Sequence, residues 1–152
     1  MYQHNGVCFE FPESWEVVDD DGDDIIRAIT VECPNEGYYS IDIYQFEQAP
    51  SIENYIERSL KYFTKELPFG FKIIDEPTRS IEKLISQNSE IEGVKLEFTV
   101  RTLFRQKIKY INSYFRVCSN TKTSFISGQY LAEHSSESKA GFDKIVLSYC
   151  LA

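Results

Sequence analysis

Two histidines, four cysteines and five aspartates gathered around one glycine are the residues of this 152-residue chain whose chemistry could go beyond packing. The aspartates are Asp19, Asp20, Asp21, Asp23 and Asp24, and the glycine is Gly22. A calcium loop needs acids at its first, third and fifth positions, glycine at the sixth and glutamate at the twelfth. Counting from Asp19 puts Asp24 where the glycine belongs and Thr30 where the glutamate belongs. Counting from Val17 restores Gly22 but loses the first ligand and leaves Ala28 at the end. Both frames fail, and the run reads as a solvated hairpin tip, for which Asp-Gly is well suited.

His4 and His134 sit in neither an H-E-x-x-H motif nor a cysteine-paired one, and each reads as an exposed imidazole, the first in a tail and the second at a strand end. Cys8, Cys33, Cys118 and Cys150 are scattered with no C-x-x-C pair, which argues against structural zinc. The first Lys or Arg is Arg27, and the N-terminus carries no apolar run of the kind a secretory leader needs. A cytoplasmic setting with four reduced thiols is therefore expected. Ser127-Gly128 follows Phe125-Ile126 and so makes no G-x-S-x-G elbow, and no glycine-rich nucleotide cradle occurs. The expectation is no catalytic residue, no cofactor and no metal. A hydrolase assembled from scattered Ser, His and acids is the alternative, because a triad need not be contiguous.

Charge narrows the partners. Sixteen basic against twenty-four acidic residues leave a net charge of −8, which repels nucleic acid and anionic membrane and steers a cationic protein inward. Arg101, Arg105, Lys107 and Lys109 are the basic cluster, and they read as charges that blunt pairing at a strand end. Tyr38 and Tyr44, with Asp42 between them and Glu47 just beyond, are the candidate partner-binding residues, since tyrosine offers contact area at low entropic cost.

The elements that must position these residues read as strands first. Val7 to Phe11, Trp15 to Val18, Ile25 to Cys33 and Tyr38 to Phe46 carry strand patterns separated by turn residues. Ser51 then caps a helix whose apolar stripe runs through Tyr55, Ile56, Leu60 and Phe63 and is closed by Pro68 and Gly70. A short strand over Phe71 to Ile74 follows, and the 78–88 segment fits a helix or a strand. Strands around Val94–Val100, Lys107–Cys118 and Thr123–Leu131 lead to a closing helix, capped by Ser136, with Phe142, Ile145, Val146 and Tyr149 on one side. No linker interrupts residues 1–152, so a single domain is expected. The predicted fold class is α+β, an α/β/α sandwich with a central, mainly antiparallel sheet flanked by helices on both faces.

Gly6-Val7-Cys8-Phe9-Glu10-Phe11-Pro12-Glu13-Ser14-Trp15 resembles the opening motif G-x-x-F-x-F-P-x-x-W of a known superfamily. That superfamily includes the photosystem II extrinsic P subunit, the Ran-binding Mog proteins, the bacterial DcrB proteins and the Eag chaperones of type VI secretion. The element order is similar too, through Ile91-Glu92-Gly93-Val94 before the central strands and Phe142 to Tyr149 at the end. The resemblance implies the same sandwich and a binding role. A non-catalytic cytoplasmic protein-binding module follows as the expectation, acting as a bacterial immunity protein or as a type VI effector chaperone-like adaptor, with a homodimer as a further option. A structural or stress protein is the remaining alternative.

Overall fold

The structure is a computed structural model that describes residues 1–86 and 89–152. Most of it is antiparallel sheet. β1 (Tyr2–His4), β2 (Val7–Phe9) and, from the far end of the chain, β11 (Cys150–Leu151) make a small three-stranded sheet in the order β1-β2-β11. The large sheet holds β3 (Glu16–Gly22), β4 (Ile26–Glu32), β5 (Tyr38–Gln45), β6 (Lys72–Ile73), β7 (Thr78–Ser86), β8 (Ser89–Arg101), β9 (Lys107–Cys118) and β10 (Lys122–Leu131). Its order is β3-β4-β5-β10-β9-β8-β6, with β7 also paired to β8. The helices are α1 (Ile52–Glu66) and α2 (Ser135–Ser148), with single 3-10 turns at Phe46–Gln48 and Ala132–His134.

The expected α/β/α sandwich does not form. Half of the chain is strand and 23% is helix, so the fold is β-rich. The sheet path spans seven strand positions, about 29 Å at roughly 4.8 Å per step, whereas a helix is about 10 Å across. Two helices cannot layer such a sheet; each plugs one apolar cluster. α2 brings Phe142, Ile145 and Val146 against Ile29, Val31, Tyr39, Ile41, Phe115 and Ile126. α1 brings Tyr55 and Ile56 against Tyr44, Leu96, Tyr114 and Phe125. Neighbours on one strand, such as Tyr114 and Phe115, divide between the clusters because successive strand side chains point oppositely. The 78–86 stretch, equally compatible with a helix on sequence, is a strand registered from Thr78↔Glu97 to Ser86↔Ser89; residues 87 and 88 lie outside the described residues.

The opening motif builds core. Phe9 is buried, the Trp15 amide donates to the Pro12 carbonyl at 3.0 Å, and the turn swings the Trp15 ring onto Tyr39, centroid to centroid 4.4 Å. Gly141 of α2 lies beneath that indole, and a Cβ there would stand 2.3 Å from it. The acidic run is not a turn. Asp19, Asp20, Asp21 and Gly22 continue β3, an edge strand, and the chain reverses only at 23–25. Backbone crowding imposes Gly22, where a Cβ would meet the Ile26 carbonyl at 2.2 Å.

Two further expectations are corrected. Cys8 and Cys150 stand opposite each other in register, 5.2 Å apart at Cα, and form a disulfide; Cys33 and Cys118 are free. Strand pairing between the two ends of the chain creates this bridge, which no local spacing shows. His4 is not in an idle tail. It belongs to β1, and its Nδ1 lies 3.3 Å from Asp20, whose carboxylate takes paired 2.8 Å bonds from the Arg27 Nε and Nη2 and a further one from the Tyr2 hydroxyl. Among the described residues no helix is long and apolar enough to cross a membrane.

Candidate functional site

β5 carries three of the four expected partner-binding residues on one side. Tyr38, Ser40, Asp42 and Tyr44 alternate with Tyr39, Ile41 and Ile43, which enter the α2 cluster. α1 lies over the first set because Ser51 caps it, its Oγ accepting from the Asn54 amide at 3.2 Å, and because Tyr55 inserts above Phe125 with stacked rings 4.3 Å apart. Between helix and strand runs a trough of about 400 Å³ lined by Tyr38, Asp42, Tyr44, Tyr55, Arg58 and Tyr62, with Asp19 of the acidic edge strand at its rim.

The roles inside the trough differ from the expected ones. Asp42 is not a surface acid. It accepts from the Tyr55 hydroxyl at 2.5 Å and from Ser40 Oγ at 2.9 Å, and burial pushes its carboxyl above the usual range against the opposing effect of both bonds. Tyr55 is pushed well above the ordinary tyrosine value, first by burial and then by the Asp42 charge. Tyr44 is 9% exposed, edge-on to Phe125, so it shapes the floor. Tyr38 is 47% exposed and free to contact a partner. Glu47 sits in the exposed 3-10 turn after β5 and does not line the trough.

Toward the C-terminal end of α1 the trough deepens into a cleft of about 420 Å³ that shares Tyr38, Ser59, Tyr62 and Ser127 with it. β9 supplies Tyr110, Asn112 and Tyr114, and β10 supplies Gln129. Sequence reasoning missed this cleft, whose residues look like ordinary strand positions until α1 is placed over them. The one legible signal was Asn112, an amide between Tyr110-Ile111 and Tyr114-Phe115 in the middle of β9.

Among the described residues the geometry does not assemble the alternative triad. His134 lies at the end of a 3-10 turn with Glu133 3.9 Å away, and among the described residues neither histidine hydrogen-bonds a serine or cysteine. The nearest approach to a relay is Ser127 Oγ to Tyr55 at 3.4 Å and on to Asp42, but a buried tyrosine with a raised pKa is a poor base for activating a hydroxyl. Of the basic cluster, Arg105 is in the β8–β9 turn at φ 61°, and Lys109 pairs loosely with Glu97 at 3.9 Å.

No family model and no curated protein sequence matches the chain. Among solved structures, that of LpqN, involved in cell envelope biogenesis of Mycobacterium tuberculosis, is similar over 96% of this chain and 83% of that one, at 9% identity and a TM-score of 0.44.

Proposed function

We propose that the chain is a non-catalytic binding module and that the trough between β5 and α1 is where a protein partner docks. The observation that carries this reading is the convergence of an exposed Tyr38, an exposed Tyr62 and a rigid floor of Tyr44 and Tyr55 beside an aspartate-rich edge strand. Rigid aromatic side chains next to a charged rim are the composition of a protein-binding hot spot. The net charge of −8 favours a basic partner, as an immunity-type protein covering a cationic toxin surface would meet. A chaperone-like adaptor would need a long apolar groove, and Asp19, Asp42, Arg58 and Ser40 make this trough polar. The Cys8–Cys150 bridge weighs toward an oxidising compartment over the cytoplasm expected from sequence.

The test is affinity purification of the tagged chain from its native cells at two salt concentrations, with Tyr38→Ala and Tyr62→Ala variants alongside. A basic protein retained by the parent at low salt, shed at high salt and lost from both variants supports the reading. A partner held equally by parent and variants places docking elsewhere and sinks it.

A further inference from the structure

The cleft at the C-terminal end of α1 has a chemistry of its own. Asn112, 2% exposed, forms its floor. Its Nδ2 donates to the Tyr114 hydroxyl at 3.1 Å, and that hydroxyl also meets Ser59 Oγ at 3.1 Å. The rings of Tyr38, Tyr62, Phe63 and Tyr110 line the cleft. Among the described residues Glu66 is the one carboxylate on the lining, and no Lys, Arg or His joins it.

Each of these features selects the same ligand class. Aromatic faces attract a cation and repel an anion. A lone carboxylate at the mouth, on a protein of net charge −8, does the same. The volume lies within the range of small-molecule pockets. We propose that this cleft binds an organic ammonium ion with a short apolar body, its charge held between Glu66 and the tyrosine rings. The ammonium comes either from a free small amine or from a lysine side chain presented on a protein. This goes beyond the docking reading, and its charged determinant, Glu66, is absent from the trough around Asp42.

The test is a titration of the full, oxidised, ¹⁵N-labelled chain at low salt, followed by amide shifts. Four probes are used: 2-phenylethylammonium, Nα-acetyl-lysine amide, and as anionic and neutral counterparts on the same phenylethyl body 3-phenylpropionate and 2-phenylethanol. Saturable shifts of the Asn112 side-chain amide and the Gly128 and Gln129 backbone are expected with an ammonium probe. The anion and the alcohol should bind at least about tenfold more weakly, and Glu66→Gln should weaken the ammonium by about tenfold. Tighter binding of the phenylethyl compound identifies a free amine as the source, and tighter binding of the lysine amide identifies a protein side chain. Glu66 and Tyr62 are exposed, so Glu66→Gln and Tyr62→Ala leave the fold intact even where Asn112→Leu does not. An anion or alcohol that binds as well as the ammonium, an affinity unmoved by Glu66→Gln, or shifts that never saturate would each overturn the proposal.

Discussion

Replacing both bridge cysteines, Cys8→Ala with Cys150→Ala, should cost this protein a large part of its stability while hardly touching its packing. Cys150 is exposed and Cys8 only half-buried, so the lost side-chain contacts are small. The main loss is in the unfolded chain. The bridge closes a loop across a separation of 142 residues, and the chain-entropy relation gives about 5 kcal/mol at 25 °C for a loop of that length. Domains of this size have total stabilities of only about 5–15 kcal/mol. Urea denaturation of the oxidised parent and the double variant is the assay. With a slope of roughly 2 kcal/mol per molar, the midpoint should fall by about 2–3 M. A thiol count is the companion measurement: the denatured, unreduced parent should titrate as two free thiols, from Cys33 and Cys118. Four thiols, or a double variant within about 1 kcal/mol of the parent, would refute the bridge as the staple between the first and last strands.

Other outcomes follow from particular contacts. Asp20, held well below the usual carboxylate range first by the Arg27 hydrogen bonds, gives stability present above its unfolded pKa and lost as pH falls; Asp20→Asn should cost about 1–2 kcal/mol at neutral pH and progressively less in acid melts. Asp42 has the opposite sign. Its carboxyl is raised by burial, so the folded state holds the proton longer, stability falls as pH rises through the two pKa values, and Asp42→Asn should be the more stable protein at neutral pH but not in acid. Gly141→Ala drives a methyl into the Trp15 indole and should cost about 1–3 kcal/mol by thermal melt, with loss of the near-ultraviolet tryptophan signal. Phe104, 85% exposed at the β8–β9 turn, should accept serine with a stability change within about 0.5 kcal/mol.

What could be read from the chain was whatever depends on near neighbours. The α1 boundaries follow from Ser51 and the three- and four-residue stripe, and β4 and β5 from alternation and the turns beside them. What could not be read depends on which strands meet. The Cys8–Cys150 bridge and the small sheet need β2 beside β11, and the Arg27–Asp20–His4 cluster needs β1 near β4. Asp42 was legible as the polar member of an alternating strand, but its inward turn toward Tyr55 was set by where α1 lands. The three-layer expectation failed because a helical period at each of two segments says nothing of how wide the sheet between them grows.

Photo-crosslinking tests the docking account most directly. A benzophenone amino acid replacing Tyr38, at the mouth of the trough, should capture one basic protein in native cells, while the same group replacing Lys61, exposed on α1 away from the trough lining, should capture none. Capture of the same protein from both positions, or from Lys61 alone, would contradict it.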